Sequence, residues 1–339
     1  MGYNVLEELS AEQRKFAAES SNLSFKSDVL DISENFAEAN YLFRINGQDT
    51  LPTGELAAIK AKSKQGKSQV AYYLAAILLG RISKGDIKPL KDDAKVLICD
   101  TEQSKASLKK CVCRALRFAG LSDKENCSRL TPLFLRPRSI EERKQRIEEA
   151  IKELKPTLVV IDGIRDLMQD FNNLAESSDL IGGLLKTASE NDVCIINILH
   201  MNKAATDSNM RGHAGTELAN KLCDCLQVEK KDGVFRVVCD SSRNLPFEPF
   251  AFSINGEGDF QPEEKPDDNK DAERAAEIQR VLKLCFENRS EYGYNELARE
   301  YALQAAQSER TAKRKIEIAK ANDFISVSGD KYKLTSPPV

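Results

Sequence analysis

The chain has 339 residues, 41% of them hydrophobic, and a formal net charge of −3 at pH 7. This length favours about two domains with a sizeable core, and the near-neutral charge alone predicts neither a nucleic-acid partner nor a membrane partner. No apolar run reaches the roughly 18 residues of a membrane-spanning helix, and no basic segment precedes an apolar one near residue 1, so we expect a cytoplasmic protein without a membrane partner.

Residues 1–45 are polar and lack a clear strand pattern. Within them, the stretch 10–34 is typical of a helix or of a loosely ordered segment. We therefore interpret 1–45 as an N-terminal arm and assign it no chemistry.

The segment 61–68 reads Ala-Lys-Ser-Lys-Gln-Gly-Lys-Ser and lies between the apolar run 55–59 and a helical pattern. This arrangement is typical of a phosphate-binding loop, in which backbone N–H groups and a helix N-terminus face the phosphates. Lys67 is expected to reach the terminal phosphates, and Ser68 to hold Mg²⁺. Ala61 stands where glycine is commonest, which is tolerated if its φ stays negative. The residues expected to contact ATP are Ala61, Lys62, Ser63, Lys64, Gln65, Gly66, Lys67, Ser68 and Gln69.

Between the phosphate-binding loop and about residue 254, short apolar runs alternate with amphipathic helical stretches, which predicts an α/β fold with crossover helices. Asp232-Gly233 predicts a hairpin turn between the last two strands. We assign 46–260 to this domain. The predicted strands are 56–59, 95–99, 132–135, 158–161, 193–199, 225–229 and 234–239.

Two of these strands end in carboxylates. The fourth predicted strand leads into Asp162, which is expected to orient Mg²⁺ beside Ser68. The next residue is Gly163 rather than Glu, so the base that activates water must come from elsewhere. The second predicted strand leads into Asp-Thr-Glu, and we predict Glu102 as the base, with Asp100 as the alternative. A solvated loop carboxylate is the non-catalytic interpretation.

The strand 193–199 is followed by His200, which could contact the γ-phosphate and report hydrolysis to the next loop. Alternatively, its ring could make its hydrogen bonds to the backbone at the end of the strand. If the protein forms a ring, a cation from a neighbouring subunit should reach the γ-phosphate. We predict Arg243 for this role, with Arg211 as a second candidate. Each could also be a solvated surface arginine.

The C-terminal part begins after a charged, proline-containing stretch, 261–273, which predicts a linker. Three helical patterns follow, and then two short strand patterns around Ser-Gly-Asp at 328–330. This order predicts a small winged helix-turn-helix domain at 274–336. The predicted helices are 275–288, 295–305 and 308–321.

The third of these helices is basic. In a winged helix it would enter the major groove of DNA, while lysines of the wing would contact phosphates. The alternative is a solvated charged helix used for packing or oligomerisation. The residues predicted to bind DNA are Arg310, Lys313, Arg314, Lys315, Lys331 and Lys333.

These motifs, in this order, resemble the RecA-like ATPases of the plasmid RepA helicase type, and most closely the ATPases of mobilizable genetic elements. The resemblance covers about residues 45–256. It rests on the phosphate-binding loop, Asp-Thr-Glu-Gln at 100–103, Val-Val-Ile-Asp-Gly at 159–163 and Leu-His at 199–200. It also rests on Arg-Gly-His at 211–213, Gly-Thr-Glu-Leu at 215–218 and Phe-Glu-Pro-Phe at 247–250.

The resemblance implies a RecA-like core with a mostly parallel sheet, Mg-ATP hydrolysis and a homo-oligomeric, often hexameric, ring that acts on DNA. The leading hypothesis is a helicase or motor in replication or mobilization of a mobile element. A second hypothesis is an ATP-switched DNA-binding regulator with little motor activity. A third is an ATPase adaptor that acts mainly on protein partners.

Overall fold

The computed structural model describes residues 29, 30, 32, 33, 39–202, 210–263 and 268–335. The chain divides into two units, Met1–Asn40 and Tyr41–Val339. All strands and helices below belong to the second unit. Most of the predicted helical or loosely ordered stretch 10–34 lies outside the described residues.

The strands and helices up to residue 263 are, in chain order, β1 (Tyr41–Ile45), β2 (Gln48–Pro52), β3 (Leu56–Ala61), α1 (Lys67–Gly80), β4 (Ile87–Pro89), β5 (Val96–Asp100), α2 (Lys105–Phe118), β6 (Leu130–Phe134), α3 (Ile140–Leu154), β7 (Leu158–Asp162), α4 (Leu174–Asn191), β8 (Cys194–His200), α5 (Gly212–Lys221), β9 (Asp224–Lys231), β10 (Val234–Ser242), β11 (Phe250–Ile254) and β12 (Phe260–Glu263). A short 3-10 helix, Ile164–Leu167, follows β7.

The central sheet is large and mostly parallel. Among the described residues it contains nine strands in the order β12-β11-β10-β9-β3-β8-β7-β5-β6. The strands from β9 to β6 run parallel, whereas β10, β11 and β12 pair antiparallel along the other edge. A smaller antiparallel sheet has the order β2-β1-β4. The predicted α/β fold is therefore confirmed.

Helices cover both faces of the central sheet. Alternate residues of β3 belong to two separate apolar clusters: Ala57 and Ile59 face the cluster that contains α1 and α2, and Leu56 and Ala58 face the cluster that contains α3, α4 and α5. This alternation follows from the two-residue period of a strand. Because both faces are buried, the parallel strands are continuously apolar rather than alternating, which made them recognisable in the sequence.

The seven predicted strands all form, within two or three residues of the expected bounds. Asp232 and Gly233 adopt positive φ angles of 51° and 90° in the turn between β9 and β10, as expected of an Asp-Gly hairpin. Two boundaries differ from the prediction. The second unit begins at Tyr41, inside the predicted arm, and its first strand β1 pairs with β2 and β4.

The predicted linker 261–273 is also shorter than expected. β12 extends to Glu263 because it pairs with β11, and a helix begins at Asp268. Charged residues can form the first turns of a helix, since Glu, Lys and Arg have high helix propensity. Residues 264–267 lie outside the described part of the chain.

The C-terminal part contains α6 (Asp268–Phe286), β13 (Tyr292–Gly293), α7 (Tyr294–Gln304), α8 (Glu309–Ala321), β14 (Ile325–Ser328) and β15 (Lys331–Leu334). The strands pair antiparallel in the order β13-β15-β14. Ile278, Leu297, Tyr301 and Ile316 belong to a core that these helices share. Over the stretches that the structure describes, no helix is both long enough and apolar enough to cross a membrane.

Candidate active site

The candidate catalytic residues lie at one edge of the central sheet. Ala61, the last residue of β3, is in register with His200, the last residue of β8. Asp100, at the end of β5, is in register with Asp162, at the end of β7. Since the carboxyl ends of parallel strands meet at the same edge, ligands of such sheets bind there. The phosphate-binding loop leaves the sheet at this edge.

The phosphate-binding loop reaches its helix through two left-handed residues, Lys64 with φ of 63° and Gly66 with φ of 90°. Ala61 is fully buried within β3 and has no positive φ, so this position does not require glycine. Gly66 does require it, because a Cβ there would lie 2.1 Å from Cε1 of Phe235. The hairpin of β9 and β10 thus closes directly over the loop, and the Gln65 side chain accepts a hydrogen bond from the Lys230 backbone N–H (2.7 Å).

The other residues of the loop differ in whether their side chains are free to contact a nucleotide. Lys62, Ser63 and Lys64 are exposed. Gln69 is turned away from the loop, because its amide nitrogen donates to the Cys111 sulfur (3.6 Å) and its oxygen accepts from Arg114. The predicted nucleotide contact of Gln69 therefore has to come from its backbone rather than from its side chain.

Lys67 is 7% exposed and its Nζ lies 3.0 Å from Nδ1 of His200. Burial lowers the pKa of Lys67, while the nearby carboxylates of Asp162 and Glu102 raise it. The pKa of His200 is lowered, first by burial and then by Lys67. These shifts favour a neutral imidazole that accepts a hydrogen bond from the Lys67 ammonium. The two residues that the sequence assigned to the γ-phosphate are therefore in contact.

Asp162 and Ser68 form the candidate Mg²⁺ site. The Ser68 side chain hydrogen-bonds the Asp162 carboxylate, and burial raises the pKa of Asp162 to about 7. Oδ2 of Asp162 is buried and has no hydrogen-bond partner among the described residues. A buried carboxylate oxygen without a partner is costly, and a divalent cation would satisfy it. A carboxylate beside a hydroxyl is also the oxygen-donor set that Mg²⁺ prefers, so these residues fit the ion.

Asp100 and Glu102 have different environments. The Asp100 carboxylate accepts hydrogen bonds from the backbone N–H groups of Glu102 (3.1 Å) and Gln103 (2.7 Å) and from the Gln103 amide (2.6 Å). Both its oxygens are thus used to hold the turn after β5. Glu102 is solvent-accessible, and a Cβ on Gly163 would lie 2.6 Å from its Oε1. Its pKa is raised, first by partial desolvation and then by Asp166.

Thr101 joins the ends of β5 and β7 and so fixes Glu102 beside Asp162. Its backbone N–H donates to the Asp162 carbonyl (2.7 Å), and its hydroxyl donates to Asp166 (2.8 Å) and accepts from the Gly163 N–H (3.0 Å). The absence of a side chain on Gly163 leaves the space that the Glu102 carboxylate uses. The Gly that follows Asp162 in the sequence is therefore part of the site geometry.

Arg243 lies at the opposite edge of the sheet from the phosphate-binding loop. Its guanidinium is 3.8 Å from Glu55, and donates to the Lys221 carbonyl (3.2 Å). Glu55 precedes the first residue of β3, so about 20 Å of extended chain separates this contact of Arg243 from Ala61. Arg243 therefore does not reach the loop of its own subunit, and a role at a neighbouring subunit stays a prediction.

Two arginines lie near His200: Arg211, which the sequence offered as the second candidate for the cation at the γ-phosphate, and Arg165, which the sequence pattern did not single out. Arg165, in the 3-10 helix after β7, and Arg211, just before α5, both approach the ring of Phe171, with distances of 4.3 Å and 5.3 Å to the centroid. The Arg211 backbone N–H donates to the His200 carbonyl (2.9 Å). The only sequence signal for Arg165 was its position three residues after Asp162.

The side chains predicted to bind DNA are not equally exposed. Arg310 and Lys331 are exposed, and Lys313 is partly buried with its ammonium 5.8 Å from the Tyr294 ring centroid. Lys315 differs from the prediction: its side chain is 11% exposed and lies 3.9 Å from Glu277. The reason is the helical period, which places Lys315 on the core side of α8 beside Ile316.

Two further basic residues of this set are paired with acids. Arg314 lies 3.7 Å from Asp232 in the β9–β10 turn, and Lys333 lies 2.6 Å from Glu291. All four side chains are substantially exposed, so these pairs contribute little to stability and can exchange for phosphate contacts.

Comparison with known proteins places this site in a family. The family model described as an AAA domain matches residues 19–206. A solved structure described as the RadB recombinase aligns with 64% of this chain and 94% of its own chain, at 21% sequence identity and a TM-score of 0.46. No curated protein matches the sequence. Because the AAA domain match spans more than half of the 339 residues and includes the phosphate-binding loop, Glu102 and Asp162, the chain belongs to the AAA domain family.

Proposed function

We propose that the protein binds and hydrolyses Mg-ATP at this sheet edge. One observation carries the proposal: the buried Lys67 lies in the phosphate-binding loop beside the Ser68–Asp162 pair, in which one carboxylate oxygen lacks a partner. The loop offers backbone N–H groups and a helix N-terminus for phosphates. Ser68 and Asp162 would hold Mg²⁺, which supplies charge neutralisation at the phosphate oxygens when bound.

In the reaction, a water oxygen attacks the γ-phosphorus and the bond to the β–γ bridging oxygen breaks. ADP leaves with the electron pair of that bond, and Glu102 accepts the proton that the water loses. Glu102 suits this role better than Asp100, because both oxygens of Asp100 are already hydrogen-bonded in the turn. Lys67 would exchange His200 for the terminal phosphates, and His200 would then be free to respond to the γ-phosphate.

We further propose that the hydrolysis serves an action on DNA, as a RepA-type helicase or motor of a mobile element assembled as a homo-oligomeric ring. Arg310 and Lys331 are exposed in the small C-terminal domain, whose order of helices and strands suits a winged helix-turn-helix. Arg243 is exposed at the far edge of the sheet, where a neighbouring subunit could use it.

The test is ATP hydrolysis by the purified protein without DNA, with single-stranded DNA and with duplex DNA. We expect DNA-stimulated turnover that Lys67→Ala abolishes. Undiminished hydrolysis by Lys67→Ala would refute the site. Any DNA affinity should be measured over a salt series, because contacts of Arg and Lys with phosphates weaken steeply as salt rises.

A second candidate function is an ATP switch that sets DNA binding, with slow turnover. One observation favours it: the β9–β10 hairpin contacts the phosphate-binding loop through Lys230 and Gln65, and contacts α8 through Asp232 and Arg314. A loop that moves on binding ATP would act on both contacts. Slow hydrolysis that DNA does not change, with DNA affinity that depends on ATP, would select this function.

A further inference from the structure

Two arginines share one aromatic ring beside the active site. The guanidinium of Arg165 is 4.3 Å from the Phe171 ring centroid, and that of Arg211 is 5.3 Å from it. Both distances are within the range of cation–π attraction. Two like charges brought to one ring also repel each other, so the arrangement gains stability if an anion joins it.

Neither guanidinium forms an ion pair or a side-chain hydrogen bond with another described residue. Other arginines of the domain do: Arg117, for example, is 2.5 Å from Asp259 and 3.0 Å from Asp123. Arginine has five N–H donors, and contact with a ring uses none of them in a conventional hydrogen bond. The pair therefore has unused donors that suit an oxyanion such as phosphate.

The position of the pair indicates which phosphate it can serve. Arg165 lies two residues after Gly163, the residue against which Glu102 packs. Arg211 is bonded through its backbone to His200, and His200 contacts Lys67. Arg165 is thus two residues from the glycine beside the predicted base, and Arg211 is bonded to His200, which the sequence assigned to the γ-phosphate. In agreement, both charges lower the pKa of His200, and that of Arg165 lowers the pKa of Glu102.

We propose that Arg165 and Arg211 bind the terminal phosphate of the ATP held by their own subunit, and that they rest on Phe171 when no nucleotide is bound. This rests on the proposed ATPase function. The pair supplies in cis the positive charge that phosphoryl transfer needs as the γ-phosphate becomes metaphosphate-like. Cation–π contacts to a partly exposed ring are weak enough to be exchanged for charge-assisted hydrogen bonds to phosphate.

The first test separates binding from catalysis. Arg165→Ala should lower kcat without DNA by about 100-fold or more, with a much smaller change in KM for ATP. Arg165→Lys should recover part of the loss, since it restores the charge but not the planar guanidinium. Arg146→Ala, which removes an exposed arginine of α3, is the matched control and should change neither constant.

The second test asks whether the charge acts in cis. Arg165→Ala subunits are mixed with Lys67→Ala subunits, which retain Arg165 but cannot use ATP. If Arg165 acts in cis, the Arg165 of a Lys67→Ala subunit cannot serve the site of its neighbour, so hydrolysis does not recover at any mixing ratio. Arg243→Ala mixed with Lys67→Ala is the comparison, in which recovery is expected if Arg243 acts on a neighbour.

For a protein that hydrolyses ATP, three results would overturn the proposal. Wild-type kcat in Arg165→Ala is the first, and recovery of activity on mixing with Lys67→Ala is the second. The third is a loss of DNA affinity with unchanged DNA-free turnover, which would assign the pair to nucleic-acid phosphates. If the wild-type protein does not hydrolyse ATP, binding still decides: the pair predicts that Arg165→Ala lowers affinity for ATP at least tenfold more than affinity for ADP, and an equal effect on both would contradict it.

Discussion

Replacing Gly163 with alanine should displace the catalytic base with little effect on folding. Gly163 has φ of −121° and ψ of 137°, a region open to any residue, so the backbone tolerates a side chain. The new Cβ would lie 2.6 Å from Oε1 of Glu102, whereas such contacts are seldom shorter than 3.0–3.4 Å. The carboxylate must therefore move by about 0.4–0.8 Å, which is easy for the end of a flexible side chain.

A displacement of this size is large for catalysis, since a misplacement of about 1 Å can cost a factor of about 100 in rate. We expect kcat for ATP hydrolysis to fall by about 10- to 100-fold, or about 1.4–2.7 kcal/mol, with ATP affinity and the free energy of unfolding nearly unchanged. Gly183→Ala is the control, because no atom lies within 4 Å of the added Cβ in α4. Steady-state kinetics, isothermal titration and urea unfolding make the comparison, and normal kcat in Gly163→Ala would refute the assignment of Glu102.

Three further predictions concern the loop, His200 and α8. Gly66→Ala should cost about 1–3 kcal/mol of stability from its φ of 90° alone, and more from the contact with Phe235, so ATP binding should be lost; unchanged urea unfolding and ATP titration would contradict this. Because the pKa of His200 is lowered below its usual 6.5 in the folded protein, folding favours the neutral imidazole. The folding stability that this preference contributes is fully present above pH 6.5 and is lost as the pH falls through the pKa of the folded state. Wild-type protein should therefore lose more stability between about pH 7.5 and pH 5 than His200→Asn, and equal losses in urea unfolding would count against the predicted shift. Arg310→Ala should weaken DNA binding and reduce its salt dependence, whereas Lys315→Ala should mainly destabilise the C-terminal domain; the reverse pattern in fluorescence anisotropy and thermal unfolding would be inconsistent with the burial of Lys315.

The sequence predicted best what depends on local pattern. The phosphate-binding loop and the apolar strands that follow it were recognisable because their residues are adjacent in the chain. Asp100 and Asp162, at the ends of β5 and β7, could also be expected at one edge of the sheet, because parallel strands bring their carboxyl ends together. The Asp232-Gly233 turn was predicted from the positive φ that both residues tolerate.

What the sequence did not predict depends on contacts between distant segments. The closeness of Phe235 to Gly66, and of Glu102 to Gly163, follows from strand pairing that no local pattern encodes. Arg165 and Arg211 are far apart in the chain, and both contact the ring of Phe171. Lys315 was grouped with its basic neighbours because the charge run concealed the helical period that places it on the core side of α8.

The choice between Asp100 and Glu102 shows the same limit. Both follow one strand and both are carboxylates, so composition and spacing leave the choice open. The structure distinguishes them by hydrogen bonding, because both oxygens of Asp100 hold the turn, whereas Oε1 of Glu102 lies beside Gly163. The pKa of Glu102 is raised by partial desolvation, which suits a base near neutral pH.

The central claim is that this sheet edge hydrolyses ATP with Glu102 as the base. The most direct measurement is single-turnover hydrolysis of ATP by Glu102→Gln and wild-type protein, with ATP affinity measured on the same samples. We predict that Glu102→Gln binds ATP as tightly as the wild type and hydrolyses it at least about 100-fold more slowly. Hydrolysis by Glu102→Gln at the wild-type rate would contradict the account.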